Sequence, residues 1–282
     1  MAESDAYDLD FTQPPRRTMG YNPILARMCF DSLGTEERMA EGGAFFVENQ
    51  LTDKMYLLVE GEVSLRRGAR SLDVVKSGEI FGEMSAITRQ PRSASAVARS
   101  PCRVLSLDSR QLQRAIQQTP EFGFMLMNIM VTRLRLTVSM LSMTRSLPDW
   151  RGAPEIRVFD DKLLAVLTRA LQERTPLNYP ARKVIMKEDE GGVFMYVVLK
   201  GRVSISIGSH VVERVGPGGV FGEMALVDQS TRAATAVAET DCVLLPVNRN
   251  DFLDLTKNRP EIGMSLLTAI AERLRFMDTG YK

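Results

Sequence analysis

The chain has 282 residues, of which 44% are apolar and 25% are charged, a mixture typical of folded globular domains and sufficient for two of them. The formal net charge is +1, so no overall field favours nucleic acid or an anionic membrane. The N-terminus is acidic and polar, unlike a secretory signal, and the longest apolar run, near 122–131, is far short of the ~20 residues that span a bilayer. We therefore expect a soluble, cytoplasmic protein with no membrane contact, and we do not expect nucleic acid as its main partner.

The first half of the chain predicts a tail, a helical region, many short strands and then two helices. Residues 1–21 are polar and typical of a flexible tail, and the apolar residues of 22–39 indicate short helical pieces. From about 44 to 108, short apolar runs alternate with Gly, Asp, Asn and Ser, which is typical of a sandwich or barrel. Of the two helices that follow, the second begins at Pro120 and is expected to run to about Arg145.

The second half repeats this order. Residues 147–159 contain Pro and Gly and predict a linker, and 160–174 predict an amphipathic helix. Phe81-Gly82-Glu83-Met84 then reappears 140 positions later as Phe221-Gly222-Glu223-Met224. Other pairs at the same spacing are Met55 and Met195, Gly61 and Gly201, Arg92 and Arg232, Cys102 and Cys242, and Arg133-Leu134-Arg135 and Arg273-Leu274-Arg275. A constant spacing over some 80 residues indicates two copies of one domain.

The predicted fold class is therefore α+β and mainly β, with two tandem β-barrel or jelly-roll domains. Each domain has flanking helices and ends in a C-terminal helix that serves as a lid. The predicted boundaries are a tail at 1–21, the first domain at 22–146, the linker at 147–159 and the second domain at 160–282.

The repeated polar residues predict a pocket for a phosphate and a ribose hydroxyl. A helical turn that follows Gly-Glu exposes backbone N–H groups, and the Arg nine residues after the Glu adds donors suited to phosphate. The carboxylate of the Glu can accept a hydrogen bond from a hydroxyl group. The small residues after the Arg let a ligand approach the backbone closely. A single Arg suits a phosphodiester better than a triphosphate, which usually also needs Lys and Mg²⁺.

Both cassettes resemble the phosphate-binding cassette of cyclic-nucleotide-binding domains, as found in cAMP receptors and kinase regulatory subunits. The resemblance rests on Phe81–Ile87 with Pro91–Val97 and on Phe221–Val227 with Thr231–Val237. It implies that the Arg of each copy binds the cyclic phosphate and that the Glu accepts a hydrogen bond from the ribose 2′-hydroxyl. It also implies that the Gly allows the tight turn. The implied ligand-binding residues of the first site are Gly82, Glu83, Met84, Ser85, Arg92, Ser93 and Ala94. Those of the second site are Gly222, Glu223, Met224, Ala225, Arg232, Ala233 and Ala234.

The residue after each Arg bears on the choice between cAMP and cGMP. In the family that the cassettes resemble, Ala at this position goes with adenine, and Thr or Ser can contact guanine. Ala233 therefore favours cAMP at the second site, whereas Ser93 leaves the first site open to either nucleotide. The loop before each cassette also differs, because Gly191-Gly192 has no glycine counterpart near Asn49 in the first copy.

Two further features leave alternatives open. The methionine-rich helix 120–145 either covers the first barrel or pairs with a second subunit to form a homodimer. Trp150 in the linker either packs between the domains or stacks on the base at the first site. Phe276 or Tyr281 are the corresponding candidate caps for the second site.

We expect no enzymatic activity and no metal site. His210 is the only histidine, and no zinc spacing, P-loop or nucleophile elbow is found. The sequence favours a cAMP receptor, with cGMP as the alternative ligand, that signals to an unidentified effector protein. The alternatives are an inhibitory subunit of a kinase or other enzyme, and a DNA-binding regulator, for which no helix-turn-helix is seen.

Overall fold

The computed structural model describes residues 20–148 and 156–278. Trp150 and Tyr281, two of the predicted base caps, lie outside the described residues, as does most of the predicted tail. The chain separates into two compact units, Met1–Leu112 and Gln113–Lys282.

The first unit is built on two antiparallel four-stranded sheets. Its helices are α1 (Pro23–Leu33), α2 (Glu83–Thr88) and the start of α3 (Ser109–Gln118). Its strands are β1 (Thr35–Met39), β2 (Ala44–Phe46), β3 (Met55–Glu60), β4 (Glu62–Arg67), β5 (Arg70–Lys76), β6 (Ile80–Phe81), β7 (Ser95–Ala98) and β8 (Cys102–Leu107). The sheets have the orders β1-β8-β3-β6 and β2-β7-β4-β5. Tyr56, Leu58, Phe81 and Val104 are among the buried side chains between them.

The helical prediction for 22–39 is correct only in its first part. Asn22 caps α1 by accepting hydrogen bonds from the backbone N–H groups of Ile24 and Leu25. Residues Thr35–Met39 form strand β1 instead, which pairs with β8 at the edge of a sheet. This strand is mostly exposed and lacks the alternation of a half-buried strand, so only its pairing with a distant strand specifies it.

The second unit repeats the two sheets and adds the long helices. Its complete helices are α4 (Pro120–Met143), α5 (Asp161–Ala170), α6 (Glu223–Asp228), α7 (Arg249–Asn258) and α8 (Pro260–Asp278). Its strands are β9 (Leu177–Tyr179), β10 (Val184–Met186), β11 (Phe194–Lys200), β12 (Val203–Ile207), β13 (His210–Val215), β14 (Val220–Phe221), β15 (Thr235–Ala238) and β16 (Cys242–Asn248). The orders β14-β11-β16-β9 and β10-β15-β12-β13 match those of the first unit.

The elements around each cassette recur at the spacing of the sequence repeat. Strands β2, β6 and β7 and helix α2 correspond to β10, β14, β15 and α6, and each pair is displaced by 140 residues at both ends. The predicted fold class, two tandem β domains with flanking helices, is confirmed.

Helix α4 packs within the second unit, against α6 and α8. It begins at Pro120 as predicted and buries Leu126, Val131 and Leu134, among other residues. Among the described helices, α4 alone has a length and composition that would allow it to cross a membrane. A core helix of a globular unit passes the same test, and the packing of α4 against two other helices is typical of such a helix.

Candidate functional site

In the first unit, Arg92 is held at the base of the cassette by neutral acceptors. Its side chain is buried, and it donates from Nη1 to the carbonyl oxygen of Gly82 at 2.8 Å and from Nη2 to that of Lys54 at 2.6 Å. Its Nε donates to the hydroxyl of Thr52 at 2.7 Å, and the guanidinium lies 3.9 Å from the ring centroid of Phe46. Burial lowers the pKa of the Arg92 guanidinium, although the group remains charged at neutral pH.

In the second unit, Arg232 occupies the corresponding position with the corresponding acceptors. Its Nη1 donates to the carbonyl oxygen of Gly222 at 2.9 Å, and its Nη2 donates to that of Phe194 at 2.7 Å. Gly222 and Phe194 lie 140 positions after Gly82 and Lys54, so both arginines are fixed by the same two main-chain carbonyls. Burial again lowers the pKa of the guanidinium.

The two sites differ in what Nε of the arginine contacts. Thr52 supplies a hydroxyl to Arg92, whereas the corresponding residue of the second copy is Gly192. A Cβ added at Gly192 would overlap Nε and Cζ of Arg232, so the glycine main chain lies directly against the guanidinium. Within the described residues, Nε of Arg232 has no hydrogen-bond acceptor. This difference accounts for the glycine that sequence comparison finds only in the second loop.

The glycine of each cassette has a left-handed conformation that brings the turn close to the arginine. Gly82 has φ +75° and Gly222 has φ +78°. A Cβ would lie 2.9 Å from Nη1 of Arg92 in the first unit and 2.7 Å from Nη1 of Arg232 in the second. A side chain is therefore excluded here both by the backbone conformation and by the arginine.

The acidic residue that follows each glycine is buried. Glu83 and Glu223 begin α2 and α6 with exposed fractions of 4% and 3%. In the second unit, the partner of Glu223 is Arg273 from α8, whose Nη1 donates to Oε1 at 3.1 Å. The final helix therefore reaches the cassette through a buried ion pair.

Arg273 also binds a strand. Its Nε and Nη2 each donate at 2.9 Å to the carboxylate of Glu213 in β13, and Nη2 donates to the carbonyl oxygen of Val220 at 2.6 Å. Burial alone would lower the pKa of the Arg273 guanidinium, but Glu213 and Glu223 more than offset this and raise the pKa above its ordinary value. One arginine thus joins β13, β14, α6 and α8.

Helix α4 holds the loop that leads from α6 to Arg232. Nε and Nη2 of Arg135 donate to the two carboxylate oxygens of Asp228, and Nη2 also donates to the carbonyl oxygen of Thr231 at 2.9 Å. Thr231 directly precedes Arg232 in the chain. The first copy has Thr88 in place of Asp228, so it lacks the carboxylate of this ion pair.

The remaining predicted site residues lie on or beside the same turns. Met84, Ser85 and Ala225 are buried within α2 and α6. Residues of intermediate burial are Met224 in α6, Ser93 and Ala94 after the first arginine, and Ala233 after the second, whereas Ala234 is buried. Phe276 is half-buried and follows Arg273 by three residues in α8, the helix that contacts the second cassette.

Several residues that shape the second site were not predicted. They are Arg135, Gly192, Glu213, Asp228 and Arg273. The repeated triplets Arg133-Leu134-Arg135 and Arg273-Leu274-Arg275 carried a signal, because two basic residues recur at one place in both helices. No local pattern could assign the partners, which are about 50 to 93 positions away in the chain.

The described part of the chain contains no group of three His, Cys, Asp or Glu residues arranged to hold a metal ion. The described free cysteines, Cys29, Cys102 and Cys242, are all buried.

A family model described as the cyclic nucleotide-binding domain matches residues 36–119 and 176–259. The two matches together cover more than half of the chain, and each contains one of the two cassettes. The chain belongs to the cyclic nucleotide-binding domain family and carries two tandem copies of that domain.

Curated relatives include both regulatory subunits and channels. The chain is 23% identical over 271 residues to a cAMP-dependent protein kinase regulatory subunit of Schizosaccharomyces pombe, a match that covers 87% of this chain and 59% of the relative. It is 33% identical over 125 residues to a cyclic nucleotide-gated potassium channel of Rhizobium etli, covering 44% of this chain and 35% of the relative. The chain thus spans less than two thirds of the length of either relative.

Among solved structures, the regulatory domain of Toxoplasma gondii PKA with cAMP is similar at 18% identity. The match covers 89% of this chain and 90% of that chain, with a TM-score of 0.32.

Proposed function

We propose that this chain is a receptor with two cyclic-nucleotide sites and no catalytic activity of its own. The carrying observation is a buried arginine in each unit that is fixed by two main-chain carbonyls beside a buried glutamate. In this proposal, the arginine binds the cyclic phosphate and the glutamate accepts the ribose 2′-hydroxyl.

The charge of each arginine supports an anionic ligand. Within the described residues, every hydrogen-bond acceptor of Arg92 and Arg232 is neutral, and neither guanidinium forms a contact ion pair. Glu83 and Glu223 act on these arginines only at longer range, and a buried charge without a contact counter-ion is costly. A ligand phosphate would supply that counter-ion, and a singly charged diester matches a single arginine.

We propose cAMP as the ligand of the second site, because the residue after Arg232 is Ala233. For the first site, Ser93 leaves both cAMP and cGMP as ligands, with cAMP preferred. The family membership supports a cyclic nucleotide in general, and the base is the finer part of the proposal.

We propose that the signal leaves the second site through α8. The buried ion pair between Arg273 and Glu223 ties this helix to the turn that would contact the ribose. A ligand that moves the turn would therefore move the helix, to the extent that it binds the two positions with different affinity. The half-buried Phe276, three residues further on, is the proposed base cap of this site.

The proposed recipient is an effector protein in the cytoplasm. The relative from Schizosaccharomyces pombe supports a kinase subunit as the effector, in which case the chain would be an inhibitory regulatory subunit. A pull-down with and without cAMP separates the two roles, because an inhibitory subunit releases its kinase when the nucleotide is added. A homodimer through residues 120–145 and binding to DNA are alternatives, which sedimentation and retention on DNA at low salt would detect.

Titration calorimetry of the full chain with cAMP and cGMP tests the receptor. We expect two sites, of which Arg92→Ala removes the first and Arg232→Ala removes the second. Loss of a buried charge partner costs about 2 kcal/mol or more, or about 30-fold in affinity. Arg99→Ala is the control, because the side chain of Arg99 is half exposed. If neither nucleotide binds the unaltered chain, the proposal is wrong.

A further inference from the structure

The second site contains a cluster of three charged side chains from three different elements, two of them buried and the third, Glu213, partly buried. Arg273 of α8 presents the edge formed by Nε and Nη2 to Glu213 of β13 and the single donor Nη1 to Glu223 of α6. The three side chains have exposed fractions of 9%, 16% and 4%. Two carboxylates therefore share one guanidinium, and Glu213 has the two-bond, fork-like contact.

Glu223 receives only one of the three hydrogen bonds that Arg273 donates to the two carboxylates. Because only Nη1 reaches it, Oε1 is occupied at 3.1 Å, and within the described residues no donor reaches Oε2. Glu223 therefore shares its contact cation with Glu213, and one of its two carboxylate oxygens has no contact donor among the described residues. A carboxylate oxygen in this state is a strong acceptor for a hydroxyl group.

We propose that Glu213 is a positioning residue of the second site, which occupies the fork of Arg273 and so keeps Oε2 of Glu223 available for the ribose 2′-hydroxyl of the ligand. This inference rests on the proposed function, in which Glu223 contacts the ribose. Without the carboxylate of Glu213, Nε of Arg273 loses its acceptor, and Nη2 keeps only the carbonyl oxygen of Val220. Arginine favours bidentate contact with a carboxylate, so the released guanidinium would engage both oxygens of Glu223.

The first copy provides a natural contrast. Asp73 lies 140 positions before Glu213, and its side chain is one methylene shorter. Its Oδ1 accepts a hydrogen bond from the adjacent backbone N–H of Val74 at 2.7 Å. The carboxylate of Asp73 therefore folds back onto its own strand, and a change of Asp73 to Asn should leave the second site unaffected.

The test compares cAMP with 2′-deoxy-cAMP in titrations of the full chain carrying Arg92→Ala, so that only the second site binds. In that chain we expect cAMP to bind roughly tenfold to a hundredfold more tightly than the deoxy compound, as for a hydrogen bond to a charged group. With Glu213→Gln added, we expect this ratio to fall to about threefold or less, while the affinity for 2′-deoxy-cAMP stays the same. Asp73→Asn should leave the ratio unchanged.

A structural role for Glu213 would give a different result. If Glu213→Gln weakens both ligands equally, or leaves the ratio intact, Glu213 does not position the ribose acceptor and the inference is wrong. If the unaltered chain binds neither compound, the receptor proposal has failed and the inference falls with it. Thermal unfolding checks that Glu213→Gln is folded. Should it unfold, Glu213→Asp keeps the charge but withdraws the carboxylate, and the same fall in the ratio is expected.

Discussion

Replacement of Gly192 by Ala is expected to weaken ligand binding at the second site, because the added methyl group would displace the guanidinium of Arg232. The added Cβ would overlap Nε and Cζ of Arg232. Carbon atoms approach to about 3.5 Å at their optimal separation, so the guanidinium would have to retreat by more than about 1 Å. Its hydrogen bonds to Gly222 and Phe194, now 2.9 and 2.7 Å, would then exceed bonding distance.

The loop cannot easily move away instead. The backbone N–H of Asp189 donates to the carbonyl oxygen of Arg232 at 2.9 Å, and the backbone N–H of Arg232 donates to that of Glu190 at 2.8 Å. The loop and the arginine are thus tied together on both sides. We expect a loss of about 2 kcal/mol or more in binding at this site, which is about 30-fold in affinity.

Calorimetry with cAMP on the full chain carrying Arg92→Ala measures this loss at the second site only. Gly191→Ala is the matched control, because a Cβ at the neighbouring glycine meets nothing within 4 Å. Equal affinities of the two variants would show that the loop yields and that contact between Gly192 and Arg232 is not required for binding.

Two further predictions concern stability. Arg135→Ala should destabilise the second unit by about 2 kcal/mol in urea unfolding, because it leaves the carboxylate of Asp228, 12% exposed, with only the backbone N–H of Ser230 as a donor among the described residues. Arg27→Ala, which breaks an exposed pair within one helix, should change stability by about 0.5 kcal/mol or less, and equal effects would contradict the reasoning. Hydrogen bonds from Ser109 lower the pKa of Asp53, so the carboxylate stabilises the fold above its ordinary pKa and this contribution is lost as pH falls through the lowered value. Asp53→Asn should therefore lower the melting temperature at pH 7, and this difference should shrink as pH falls below the ordinary Asp pKa of about 4. A difference that is independent of pH would refute this assignment.

The features that could be predicted from the sequence are those carried by local patterns or by the repeat. The start of α4 at Pro120 follows from the preference of proline for the first helical turn. Comparison of the two copies predicted the cassettes, because Gly, Glu and Arg recur at one spacing in the same order. The β1 strand was missed because its residues carry no alternation, and an edge strand is specified by its partner.

The contacts that link the second cassette to helices could not be predicted in the same way. Arg135 contacts Asp228, which is 93 positions away, and Arg273 contacts Glu213, which is 60 positions away. Such pairs depend on how the helices pack, and helical periodicity predicts which face is apolar but not which distant carboxylate an arginine meets. The repeated basic residues in the two helices indicated the arginine of each pair but not the carboxylate that it contacts.

Comparison of the two copies separates contacts made by main-chain atoms, which are kept, from contacts made by side chains, which differ. The carbonyls that hold Arg92 and Arg232 come from main-chain atoms, so the same anchoring is kept although Lys54 corresponds to Phe194. Side-chain contacts around the arginine and the cassette have diverged, as Thr52 corresponds to Gly192 and Thr88 to Asp228. An anchor built from backbone tolerates substitution at its own positions, whereas the side-chain contacts can change from one copy to the other. We therefore expect the two sites to share the ligand class and to differ in affinity and in their coupling to the helices.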